Sequence, residues 1–217
     1  MALLVLLSQV FLPSLAAKRL SERVARYGTV KHASISALPA LELLWGKADS
    51  ASVTVGALSV PSNQLVSLLW EAHNVTNLTM SADTVTVTGV PSLSKGLTIS
   101  DMRVEKRGSS IHTSATLTKQ QLEEALPSGF QIEPLASGGG EVQARASGGL
   151  FGVQASITAL VKPLEGRLVA EPQGFPLASL ATVTLFSDPH LQVLSVGVRV
   201  LRSQPLTYGL SMVARLS

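Results

Sequence analysis

Histidines, carboxylates, serines and basic side chains are the groups of this chain that could act on a ligand. The four histidines, His32, His73, His112 and His190, stand far apart, and none has another His, Asp or Glu at ligand spacing. A metal centre needs that clustering, so no metal is expected. The absence of cysteine removes disulfides, thiolate ligands and thiol nucleophiles together. Ser92 and Lys95 form an S-x-x-K spacing, which suits a serine nucleophile next to a lysine. Here it falls in a Pro/Ser/Gly loop rather than at a helix start. Glu123 and Glu124 are adjacent and cannot face one another on a helix, so they read as a solvated pair. Gly138–Gly140 lacks the following helix and lysine of a phosphate cradle, and no nucleophile elbow or dinucleotide fingerprint occurs. The expectation is a protein that is not an enzyme and needs no cofactor.

The basic side chains cluster differently. Lys18, Arg19, Arg23 and Arg26 lie in KRLSERVARY, where Leu20, Val24 and Tyr27 share one helical face. Such a segment can lie on an anionic bilayer through its charges, or simply pack Leu20 and Val24 on a core. Net charge is only +3, and no Arg/Lys run interleaves with aromatics, so nucleic acid is excluded as a partner. Residues 1–17, MALLVLLSQVFLPSLAA, carry no charged side chain and end in small residues at signal-peptidase spacing. They are shorter than the roughly 20 residues of a spanning helix. Residues 1–17 are therefore expected to be a signal peptide or an N-terminal membrane anchor, and residues 18–217 a single domain.

The elements that must position these groups are short helices and many strands. LPALELLWG over 38–46 places Leu38, Leu41, Leu44 and Trp45 on one helical face, with Gly46 as its left-handed end. A second helix is predicted over 62–73, capped by Ser62, with Leu65, Leu68, Leu69 and Ala72 as its stripe and Trp70 beside it. A third follows the capping-box pair Thr118 and Gln121 and stops at Pro127. Nearly everything else alternates with period two, including Val153, Ile157 and Leu210 on their strands' apolar phases. Phase slips near Ser100–Asp101 and Leu194 predict bulges. Gly138–Gly140, Gly148–Gly149, Glu165–Gly166 and Ser203–Pro205 read as hairpin turns.

The pattern predicts an α+β fold of nine or ten antiparallel strands in a long, strongly twisted sheet curled around a few short helices. A sheet of that length must curl. Either its apolar face is packed solid, or a groove remains whose small aliphatic lining suits acyl chains. The groove lining is expected from Leu41, Leu44, Leu65, Leu69, Val153, Ile157 and Leu210. Trp45 and Trp70 are either core residues or sit at a lipid mouth, where an amphipathic ring meets a wet–greasy boundary.

Three stretches carry a resemblance: ALPALELLWGKADSASVTV, GLTISDMRVEKRG at Gly96–Gly108, and SGGGEVQARASGGLFGVQASI at Ser137–Ile157. Together with the order of elements over residues 18–217, they resemble the LmeA-like family of actinobacterial envelope proteins. That resemblance implies a fold like the tubular lipid-binding proteins. It also implies an exported, membrane-associated protein of the cell envelope that binds phospholipid of the phosphatidylinositol type or another anionic class, in support of envelope lipid or glycolipid assembly. The alternative is a non-enzymatic envelope scaffold with a solid core and a protein partner. Residues 1–17 depart from the family's export signal in lacking a basic start.

Overall fold

The computed structural model describes residues 2–37, 40–90, 93, 95–150, 153–174, 182–201 and 204–217, with only the backbone described at 2–11, 41, 44–45, 68–69, 150 and 153–154. The side chains expected at Leu41, Leu44, Trp45, Leu69 and Val153 therefore lie outside the described residues, as do Ser92 and Ser203.

The chain begins with α1 (Ala2–Val24), then β1 (Gly28–Ser36), a 3₁₀ turn at Ala40–Trp45, and β2 (Ala48–Pro61). A 3₁₀ turn at Ser62–Gln64 leads into α2 (Leu65–Glu71), followed by β3 (Val75–Thr88), β4 (Leu97–Arg107), β5 (Ser110–Thr118) and α3 (Lys119–Ala125). The second half is strand: β6 (Phe130–Gly138), β7 (Glu141–Leu150), β8 (Val153–Leu164), β9 (Arg167–Pro172), β10 (Val183–Phe186), β11 (Leu191–Leu201) and β12 (Thr207–Leu216). They build two open sheets, one of seven strands ordered β1-β2-β3-β4-β5-β12-β11 and one of five ordered β10-β9-β8-β7-β6.

An α+β architecture dominated by antiparallel pairs is present, but as two sheets rather than one. One pairing also departs from the all-antiparallel expectation: β2 and β3 run parallel, Val53 beside Met80 and Val55 beside Ala82. Parallel neighbours need a crossover, and α2 supplies it. Period-two alternation cannot reveal direction, so the sequence alone reads this pair as antiparallel like the rest.

Several local expectations hold. Thr118 and Gln121 form the full capping box on α3. The register slips between Ser100 and Arg103, where Asp101 takes φ 50°, and again between Val193 and Ser195. Gly46 ends its turn at φ 71°, although the helix is 3₁₀ rather than α. Others fail. Ser62 does not cap α2; its hydroxyl donates to the Gly89 carbonyl. Gly148 and Gly149 do not turn the chain but lie within β7, paired with Ala155 and Gln154. Gly148 is needed there for another reason: a Cβ would stand 2.7 Å from the Phe130 ring, which lies across it from β6.

The inner face of the large sheet carries the core. One cluster contains Val53, Val55, Leu58, Val60, Ala82 and Val85, covered by Leu20, Val24 and Tyr27 of the α1 region and by Leu65 of α2. A second contains Val104, Ile111, Leu191, Ala214 and Leu216 with Val66 of α2. The five-stranded sheet joins this body through its turns. Gly166 and Gly140 accept from the free edge of β11, at Val193 and Val196, both at under 3 Å (2.7 and 2.8 Å).

The pairing register sorts most of the smaller sheet's side chains, although the slip after Pro134 sets Ser137 beside Val142 on the apolar side and the buried Val169 lies on the other. Ile132, Ala146 and Ile157 lie in one row and Phe130, Gly148 and Ala155 in the next. Glu133, Arg145 and Thr158 share the opposite face. The apolar face continues to Leu168, whose partner Phe186 packs against the second core cluster. Phe186 is thus a point where the smaller sheet reaches the core of the larger one.

Candidate functional site

Between α1 and the large sheet lies an apolar groove of about 460 Å³, within the roughly 300–1,000 Å³ range of ligand pockets. Its floor is formed by Ala51 and Val53 of β2 and by Leu78 and Met80 of β3. Leu12, Leu15 and Ala16 of α1 form the roof, and Leu43 and Ala72 the side walls. Two contacts fix the roof's exit. Tyr27 accepts from the Ser59 amide at 2.7 Å. Gly28 then passes so close to β2 that a Cβ would fall 1.8 Å from the Ala57 carbonyl oxygen, so only glycine serves there.

The rim is charged. Arg19 and Arg23 line it from α1, and Arg23 donates to Glu71 of α2 at 3.3 Å. Both partners of this pair are exposed, so it adds little stability and leaves the rim open to competing anions. Lys18 is exposed on the same helix, and Arg26 is exposed in the turn that follows it. Of the four basic residues read as a membrane surface, two thus belong to the groove itself.

The residues expected to line a groove scatter. Leu65 packs into the first core cluster. Trp70 stacks between His73 and His190, with ring centroids 5.1 and 4.3 Å away, over the second cluster. Ile157 lies on the open face of the smaller sheet, and Leu210 is half-buried on β12 opposite Ala115. Among these, neither Leu65, Trp70, Ile157 nor Leu210 lines the groove. The residues that do, Ala51, Val53, Leu78 and Met80, were not expected as its lining, although each alternates with polar neighbours. What their phases could not reveal was which strands lie beneath α1.

Lys106 also escaped the sequence reading. It sits on the inward phase of β4, two residues after Val104, and is only 2% exposed. Its Nζ donates to the carbonyls of Val75 and His73, where α2 gives way to β3. Burial pulls its pKa below the usual lysine value. A charged residue in the apolar phase of a strand was the signal available for it. Among the described residues no group of three His, Cys, Asp or Glu is arranged to hold a metal, and no helix is long and apolar enough to cross a membrane.

Comparison with protein-family models, with curated proteins and with solved structures yields no match.

Proposed function

We propose that the protein binds a phospholipid, its hydrocarbon in the groove beneath α1 and its anionic head at Arg19 and Arg23. The observation that carries this reading is one cavity with two chemistries: an aliphatic interior of about 460 Å³ and a rim supplied with two guanidinium groups. Acyl chains need only apolar area. A phosphate gains bidentate, charge-assisted hydrogen bonds from arginine. A scaffold with a solid core, the competing reading, has no use for such a space.

The resemblance to LmeA-like envelope proteins supports the same ligand class and adds an exported, membrane-associated setting at the cell envelope, with phosphatidylinositol-type lipids as first candidates. The helix α1 suits that setting: its first half is apolar and its second half basic. The test is transfer of a fluorescent phospholipid from vesicles to the purified chain, with unlabelled phosphatidylinositol or phosphatidylcholine as competitor. Saturable uptake, displaced better by the anionic lipid, is expected. No uptake from either vesicle would overturn the proposal.

A further inference from the structure

At the start of β2 and β3 lies a second cavity, of about 280 Å³. It shares only Val75 with the groove, and its lining is mostly polar where the groove is greasy. The buried Lys106 and Ala48 form its base. Lys47, Asp49, Asn74 and Thr76 are exposed around its mouth, and Glu42 is half-buried beside them. His73 also lines it, with Nδ1 donating to the Trp70 carbonyl at 2.8 Å.

Lys106 carries a charge that nothing nearby balances. It pairs with Leu78 in the sheet. Its side chain runs back along β3 to the carbonyls of His73 and Val75, two residues of the cavity wall. An ammonium has three N–H donors, so one remains beyond these two bonds. Carbonyl oxygens carry no formal charge, and a buried charge is ordinarily paired. Among the described residues no carboxylate lies within ion-pair reach of Lys106. Burial lowers its pKa, and no acidic neighbour raises it back. A negatively charged oxygen from a ligand would supply the missing partner through a charge-assisted bond.

The rest of the lining decides the ligand's other end. Lys47 adds a second cation, and Glu42 and Asp49 add two carboxylates. The side chains of Glu42, Lys47, Asn74 and Thr76 have no hydrogen-bonding or ionic partner among the described residues. Lys47 and Glu42 thus face one cavity without meeting each other. A simple anion would leave the carboxylates opposed to it, and a simple cation the lysines. A molecule bearing both signs suits all four groups. We propose that this cavity binds a small zwitterion of the amino-acid type, its carboxylate on Lys106 and Lys47 and its ammonium on Glu42 and Asp49. The volume, below the roughly 300–1,000 Å³ of pockets for larger ligands, fits a molecule of that size. The site stands independently of the lipid reading of the groove.

Saturation-transfer NMR titrations of the full-length chain with L-serine, acetate and ethylamine test it. L-Serine should bind saturably. Acetate and ethylamine should bind at least about tenfold more weakly, because each lacks one charged contact. Lys106→Met and Lys47→Gln should each weaken serine binding by a similar factor. Lys47 is exposed, so its variant tests the site even where Lys106→Met fails to fold. Val53→Trp, in the groove, should leave serine binding unchanged. No serine binding to the folded wild type would overturn the site. Acetate or ethylamine bound as tightly as serine would overturn the zwitterion. Undiminished serine binding in Lys47→Gln, or its loss in Val53→Trp, would place the molecule elsewhere and overturn the proposal.

Discussion

Val53→Trp separates a groove from a packed core by sign. Val53 is 4% exposed in the middle of the groove floor, between Ala33 of β1 and Met80 of β3. Its side chain points from the sheet toward the space beneath α1. Trp is well tolerated in strands, and a buried Trp covers about 150–250 Å². If roughly 100 Å² of that is new apolar burial, the gain at about 25 cal/mol/Å² is near 2.5 kcal/mol. Overpacking strain of about 1–3 kcal/mol opposes it. The two nearly cancel, so stability should change by no more than about 1 kcal/mol. For a chain of this size that is a melting-temperature shift within about 4 °C. Lipid uptake should meanwhile fall by about tenfold or more, equivalent to about 1.4 kcal/mol, because the indole takes the space of the acyl chain. Val53→Ala is the companion. It removes two carbons, worth about 1.6 kcal/mol of transfer at roughly 0.8 per methylene, and leaves uptake intact. Thermal melts and fluorescent-lipid uptake on the same preparations decide. A Trp variant that loses about 2 kcal/mol or more while uptake per folded molecule is unchanged would refute the groove.

Arg19→Gln with Arg23→Gln should weaken binding to anionic vesicles by about 2 kcal/mol, at roughly 1 kcal/mol per charge near the surface, and added salt should weaken the wild type likewise; co-sedimentation reads both. Thr118→Ala removes the hydroxyl that accepts from the Gln121 amide at 3.1 Å; a loss of about 1 kcal/mol with unchanged lipid uptake is expected from melts and uptake together. Lys106 has its folded pKa lowered by burial, so between that value and its unfolded value the unfolded chain binds more protons, and this residue makes stability rise with pH. Lys106→Met should lose that alkaline rise, as denaturant titrations across the alkaline range would register.

Much of the fold was legible because it is written in local chemistry. The capping box at Thr118 and Gln121 needs only four residues of sequence, and the bulges at Ser100–Asp101 and Leu194 show as broken alternation. Strand direction and sheet membership are not local. Val53 alternates identically whether β3 runs parallel or antiparallel to it, and Ile157 has the same inward phase in a covered sheet as in an open one. The groove suffered most from this. Its floor residues alternate with polar neighbours, yet Leu65 and Leu210 stood ahead of them as expected lining until the path of α1 put Leu12, Leu15 and Ala16 over Ala51 and Leu78. Arg19 and Arg23 were found as a basic helix face, and only the third dimension joined them to a cavity.

Native mass spectrometry of the purified full-length chain, before and after incubation with phosphatidylinositol, tests lipid binding most directly. The prediction is a population heavier than the polypeptide by the mass of a phospholipid, lost in Val53→Trp and weakened in the Arg19→Gln, Arg23→Gln variant. A polypeptide-only mass in both conditions, from protein shown to be folded by its thermal melt, would contradict it.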